Sequence, residues 1–122
     1  MVTHGPALEY YYHDALTEQG VESDAPGFAP LEAILEIWDT LTHESGTFLG
    51  IVCPVGVSLQ FMWDEPGVIQ LDIPIPERKG SWCKEATFEE CREALLSTGK
   101  GADPREIPGL VFQEWGGDVV EG

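Results

Sequence analysis

The recurrence of apolar residues at every second position in the middle of the chain is the feature that most constrains its fold. Apolar side chains recur at every second position from Val57 to Trp63 and again from Ile69 to Ile75. A period of two is typical of half-buried β-strands, and the intervening Asp64-Glu65-Pro66-Gly67 has the Pro-Gly order of a type II turn. An apolar run over Thr47–Cys53 precedes them. These segments predict a β-meander with an acidic hairpin tip.

Two amphipathic helices flank the meander in the sequence. The first is predicted from Pro30 to about Glu44, with one broad apolar face and, on its other side, a stripe without Lys or Arg formed by Glu32, Glu36, Asp39 and His43. The second is predicted from Thr87, because Thr87 and Glu90 have the spacing of a capping box, to Gly99 as the residue that follows the helix.

Two further segments, 81–85 and 110–115, are predicted as strands. The fold class that follows is α+β: an antiparallel β-meander sheet of about 4–5 strands with two main helices packed on it. Residues 30–116 are predicted to form this single domain and residues 117–122 an acidic tail. Residues 1–29 are predicted to be a partly ordered N-terminal arm, whose run Tyr10-Tyr11-Tyr12 fits either an edge strand or an irregular helix.

Acidic residues greatly outnumber basic ones. The 122 residues include 22 Asp and Glu against 6 Lys and Arg, a formal net charge of −16. Residues 1–77 contain 13 acids and no Lys or Arg, and all six basic residues lie from Arg78 to Arg105. Nucleic-acid phosphates and anionic lipid repel such a chain. We therefore exclude nucleic acid and membranes as partners and expect a basic protein partner. The competing interpretation is that the charge serves only solubility or adaptation to salt.

Nothing in the sequence matches a catalytic or metal-binding signature. His4, His13 and His43 lack ligand spacing, and there is no glycine-rich phosphate loop or nucleophile elbow. We predict no catalytic residue, no metal and no cofactor. The odd count of three cysteines without a C-x-x-C pair and the absence of signal-peptide features predict free thiols in the cytoplasm. A small enzyme using Cys or His with carboxylates remains the non-binding alternative.

The remaining candidate is a protein-binding surface. Aromatic side chains dominate binding energy and carboxylates steer a basic partner, so the partner-binding residues are predicted to be Trp63, Asp64 and Glu65 at the hairpin tip, Glu32, Glu36 and Asp39 on the first helix, and Asp72 on the strand after the tip. The competing interpretation places Trp63 in the core and the acids on a solvated turn. Trp38, on the apolar helix face, is predicted to be core.

The order of these parts resembles the bacterial polymorphic-toxin immunity proteins, in particular the first-numbered immunity family, whose members are often encoded beside nucleic-acid deaminase toxins. The similarity lies in a helix and a meander with W-D-E-P-G, the capped helix T-F-E-E-C-R-E-A-L, a Gly- and Pro-containing loop and the strand in I-P-G-L-V-F-Q-E-W. It covers roughly residues 30–115, and the N-terminal tyrosines have no counterpart in it.

The resemblance implies a non-enzymatic inhibitor that binds a cognate toxin in the cytoplasm and occludes its active site. A toxin that acts on DNA or RNA has a basic substrate groove, which an acidic surface complements. An acidic phosphate mimic of the phage type that blocks a nuclease is the alternative with the same surface. The identity of the toxin, the oligomeric state and whether the run Tyr10-Tyr11-Tyr12 contacts the partner are left open.

Overall fold

An antiparallel sheet of eight strands is the framework of the protein. The computed structural model describes residues 7–22, 25–65 and 67–114. The strands are β1 (Leu8–His13), β2 (Gly20–Val21), β3 (Gly27–Ala29), β4 (Phe48–Val52), β5 (Ser58–Glu65), β6 (Val68–Ile75), β7 (Gly80–Ala86) and β8 (Val111–Glu114). Two helices, α1 (Leu31–Thr40) and α2 (Phe88–Gly99), follow β3 and β7. The predicted α+β class is confirmed.

The strand order is β2-β1-β4-β5-β6-β7-β8, with β3 also paired to β1. One edge of β1 pairs with β4, and its other edge pairs with β3 at the start of the strand and β2 at the end. Tyr10, for example, lies opposite both Ile51 and Gly27. The tyrosine run is therefore an inner strand of the sheet.

The sheet is larger than the 4–5 strands predicted, and the whole difference comes from the segment before residue 30. That segment was predicted to be a partly ordered arm, but it contributes β1, β2 and β3. Tyr10 and Tyr12 pack against the core. The burial of their rings stabilises the pairing of β1 with the distant β4. The predicted tail at 117–122 lies outside the described residues.

Both helices pack on the same face of the sheet and enclose the core. Trp38 and Ile34 of α1 and Leu95 of α2 have no exposed side-chain surface. The Trp38 ring lies 5.0 Å from Phe61 of β5 and 4.9 Å from Phe88 of α2. The alternate residues of the strands point to the opposite face, on which none of the described helices packs. The sheet therefore has a covered face and an open face.

Helix α1 ends at Thr40, earlier than the predicted Glu44. Leu41 adopts an extended conformation, and its N–H donates to Trp38 O. The next residue, Thr42, donates its backbone N–H and its hydroxyl to the carboxylate of Asp14, at 2.9 and 2.6 Å. These hydrogen bonds to Asp14 keep Thr42 in a non-helical conformation. His43 therefore lies outside the helix and is not part of the acidic stripe predicted from the helical spacing.

The predicted capping box of α2 is confirmed. Thr87 Oγ1 accepts the N–H of Glu90, and Glu90 Oε1 accepts the N–H of Thr87. The prediction for Gly99 was wrong, since this residue is the last of the helix rather than the one after it. A Cβ at Gly99 would lie 2.6 Å from Leu31 Cδ1, so glycine serves here to bring α2 close to the start of α1.

Candidate functional site

The three partner-binding residues predicted on α1 lie on the outer surface of the two helices. Glu32, Glu36 and Asp39 are exposed on α1, and Glu89 and Glu93 are exposed on α2; we call these five residues the acidic helix face. Arg92 is the one basic residue within either helix. Its guanidinium donates two hydrogen bonds to Asp39, at 2.8 and 2.9 Å. The acidic helix face thus combines five carboxylates with one cation.

The pairing with Arg92 corrects the expectation that no cation neutralises the α1 stripe. The hydrogen bonds from Arg92 hold the pKa of the Asp39 carboxyl below its usual range. The partner of Asp39 comes from α2, 53 residues away in the sequence, so the spacing within α1 contained no signal of it. Asp39 is already engaged within the protein, which makes Glu36 the better predicted contact of the two.

The hairpin tip between β5 and β6 is fastened to the loop after α1. Ser45 Oγ donates to the main-chain oxygen of Asp64 at 2.9 Å, and Gly67 N donates to His43 O at 3.3 Å. The side chains of Asp64 and Glu65 are exposed. The tip therefore presents its two acids from a backbone that is held by the loop after α1.

Trp63 lies in the core, and its placement as a surface anchor is corrected. Its side chain is 2% exposed. The ring lies 5.2 Å from Trp38 and 5.4 Å from His43, and His43 in turn stacks on Phe88 at 5.0 Å. Trp63 shares the alternation phase of Leu59 and Phe61, which already pointed to this face of the strand. The buried ring supports the hairpin tip from beneath.

Asp72 lies on the open face of the sheet, away from the other predicted contacts. It belongs to a row of residues that lie directly opposite one another on neighbouring strands: Tyr11, Gly50, Gln60, Asp72 and Cys83. Residues in register on adjacent strands project from the same side of a sheet. We call this set the polar row.

The polar row is held together by specific contacts. The Tyr11 ring lies over Gly50, so closely that a Cβ there would sit 2.4 Å from Tyr11 Cζ. Gln60 Nε2 donates to the Tyr11 hydroxyl at 2.6 Å. Burial raises the pKa of Tyr11, against the opposing effect of that hydrogen bond. Contact of Tyr11 with a partner was left open from the sequence, and Gln60 was not among the predicted contacts, because their proximity depends on the register of β1, β4 and β5.

The carboxyl of Asp72 is half-buried although no described helix covers it. Burial raises its pKa, and a hydrogen bond from Ser81 opposes that effect. None of the described Lys or Arg side chains forms an ion pair with it. Asp72 is thus a partly desolvated carboxylate with a hydroxyl partner but no cation, an arrangement that carries an energetic cost unless a positive group approaches.

The groups needed for nucleophilic catalysis are not assembled within the described residues. Cys53, Cys83 and Cys91 are free and buried. Burial raises the pKa of all three thiols, that of Cys91 to about 12, whereas the reactive form of cysteine is the thiolate. His13 stacks on Phe48 on the open face, and His43 lies on the covered face. His4 lies outside the described residues, within which no group of three or more metal-ligating side chains is found.

The chain matches no protein-family model, no curated protein and no solved structure. Neither helix of the described part is long and apolar enough to cross a membrane.

Proposed function

We propose that this chain is a non-catalytic inhibitor of the immunity-protein type, which binds a cationic toxin and occludes the groove that the toxin uses for nucleic acid. The acidic helix face carries this proposal. Its carboxylates are exposed on two helices that pack side by side, with Arg92 as the one intervening cation. Such a surface competes with phosphates for the same Lys and Arg side chains.

The distribution of charge favours binding over solvation as the role of the acids. Acids that served solvation alone would be spread evenly over the surface. The middle of the open sheet face, however, carries Tyr11, Gln60 and Gly50 with Asp72 as its acid, while the acidic helix face holds five acids and the hairpin tip two. This uneven arrangement supports a partner that recognises the helices and the tip.

The alternative of a phage-type nuclease inhibitor uses the same surface and differs in the identity of the blocked enzyme. The alternative of a small enzyme finds less support. It needs an activated thiol or imidazole in a polar pocket, whereas the three thiols are buried with raised pKa values.

A comparison of two triple variants tests the proposal. Glu36→Gln with Glu89→Gln and Glu93→Gln removes three charges from the acidic helix face. Glu18→Gln with Glu77→Gln and Glu106→Gln removes three exposed charges elsewhere, so both variants have the same net charge. Binding to the protein encoded by the adjacent gene is measured by calorimetry at several salt concentrations. We expect the first variant to bind about 10-fold more weakly and the second to change affinity by less than about 3-fold.

The cellular part of the test uses the same adjacent gene. Its product is expected to harm cells and the wild-type chain to protect them, with protection reduced in the helix-face variant. If the product neither binds the chain nor harms cells, the proposed function is wrong. If the two variants weaken binding equally, net charge and not the acidic helix face governs recognition.

A further inference from the structure

The open face of the sheet differs in chemistry from the rest of this acidic protein. The strand register places Tyr11, Phe48, Gln60, Met62 and Gln70 on it, a mixture of aromatic, amide and thioether side chains. Its acidic residues among the described strands are Glu9, Asp72 and Glu85, with Glu65 at its end beside the hairpin tip, and it carries no Lys or Arg. Interface centres are typically poor in charge and rich in Tyr, Phe and Met.

The polar row contains two hydrogen-bond acceptors and one aromatic ring that could contact a ligand. Since the Nε2 of Gln60 donates to Tyr11, the side-chain carbonyl oxygen of Gln60 remains as an acceptor. The carboxylate of Asp72, directly opposite Gln60 on β6, is a second acceptor. The Tyr11 ring lies across Gly50, next to Gln60, and is the aromatic group of the polar row.

These features together fit one chemical group. A guanidinium is planar, has five N–H donors and no acceptor, and stacks on aromatic rings. Two acceptors beside a tyrosine ring match it better than they match an ammonium, which is more strongly hydrated and does not stack as a plane. The half-buried Asp72 carboxylate also gains most from a cation that is itself weakly hydrated.

We propose that the polar row of the open sheet face is a binding site for an arginine side chain of a protein partner, with Asp72 and Gln60 accepting its hydrogen bonds and Tyr11 packing on its plane. A second copy of this chain is not the occupant through the same face, because the described strand residues of that face include no Arg to supply the guanidinium. The site rests on the proposed function only in assigning the arginine to the cationic partner. The polar row would contact one region of that partner, and the acidic helix face would contact another.

The experiment uses a defined probe, the capped peptide acetyl-Gly-Arg-Gly-amide, titrated into the isotopically labelled full chain and followed by NMR. The matched peptide with Lys in place of Arg is the control for charge alone. We expect the Arg peptide to shift the side-chain amide signals of Gln60 and the backbone signals of Asp72 and Ser81, with binding about 10-fold tighter than that of the Lys peptide.

Two variants of equal charge locate the effect. Asp72→Asn keeps the shape of the side chain and is expected to weaken binding of the Arg peptide about 10-fold. Glu36→Gln removes one charge from the acidic helix face and is expected to change it by less than about 2-fold. Shifts confined to the acidic helix face, or equal affinities of wild type and Asp72→Asn, would overturn the site.

A second readout separates this site from the proposed function. Asp72→Asn and the helix-face triple variant are each tested for binding to the adjacent-gene product. Loss with the helix-face variant alone contradicts the assignment of the bound arginine to this partner and leaves the proposed function in place. Binding of the Arg peptide to the polar row without any binding of the adjacent-gene product supports the site and contradicts the proposed function. The thermal unfolding of Asp72→Asn is measured alongside and is expected to match the wild type or exceed it, because the substitution removes a partly desolvated charge.

Discussion

Arg92 and Asp39 join the outer surfaces of the two helices through two parallel hydrogen bonds of 2.8 and 2.9 Å. Asp39 lies in the last turn of α1, a turn without a basic residue, where a carboxylate meets the negative end of the helix dipole. Arg92 offsets that unfavourable position from the neighbouring helix. The pair is nonetheless exposed, with side chains 40% and 45% accessible, so water and salt screen it.

We expect Arg92→Gln to lower the free energy of unfolding by less than about 1 kcal/mol, as is usual for exposed ion pairs. A double-mutant cycle with Asp39→Asn, measured by urea denaturation, should give a coupling energy of about 0.2–1 kcal/mol. The coupling should shrink at high salt. A coupling above about 2 kcal/mol would mean that the pair is far less solvated than its exposure indicates.

The Asp14 carboxylate is expected to be the main acid-sensitive group of the fold. Burial alone raises its pKa, but hydrogen bonds from Thr42, Thr17 and Leu16 outweigh burial and hold the pKa at about 2. The folded state thus has the lower pKa, so the stabilisation is fully present above the ordinary value of 3.8 and is lost as the pH falls towards 2.

Asp14→Asn should lower the free energy of unfolding by about 1–3 kcal/mol at pH 7, because an amide cannot accept all of these hydrogen bonds. The difference from wild type should diminish between pH 4 and pH 2. Urea denaturation across this range measures both effects. Asp64→Asn, at an exposed position, is the control and should change stability by less than about 0.5 kcal/mol.

Substitution of Trp63 distinguishes a core residue from a surface anchor. Trp63→Ala should lower the free energy of unfolding by about 3–5 kcal/mol, since it leaves a cavity against Trp38 and His43. Trp63→Phe should cost less, because the indole Nε1 has no hydrogen-bond partner to lose. Chemical denaturation with near-UV circular dichroism reports both. An Ala variant of wild-type stability that bound a partner poorly would restore the anchor interpretation.

The contact between Tyr11 and Gly50 can be tested by a second double-mutant cycle. A Cβ at Gly50 would lie 2.4 Å from Tyr11 Cζ and 2.6 Å from its hydroxyl oxygen, so Gly50→Ala must displace the ring. We expect a loss of about 1–3 kcal/mol in the free energy of unfolding. In the background of Tyr11→Ala the same substitution should cost less than about 0.5 kcal/mol. Equal costs in both backgrounds would show that the ring does not lie over the glycine.

Periodicity and local spacing were sufficient to predict those features that depend on residues close together in the sequence. The alternation from Val57 to Ile75 predicted strands β5 and β6, and the spacing of Thr87 and Glu90 predicted the start of α2. Both signals are properties of short segments, since the facing of a side chain follows from its own backbone. The same alternation phase placed Trp63 with Leu59 and Phe61, and its burial follows from that phase.

The features missed by sequence reasoning depend on pairings between distant segments. β1 lies inside the sheet because it pairs with β4 across more than 30 residues, and its run of three tyrosines has no polar alternation to mark it as a strand. The end of α1 is set by Asp14, 28 residues from Thr42. The pairing of Asp39 with Arg92 spans 53 residues.

The sequence by itself thus determined the fold class, the faces of both helices, the central strands and the excess of acidic residues. Tertiary structure alone decided which of those acids are engaged by named partners within the protein, as Asp14 and Asp39 are, and placed Asp72 beside Gln60 in a row with Tyr11. The physical reason is that periodicity is a property of consecutive residues, whereas strand register and helix contacts depend on the packing of distant segments.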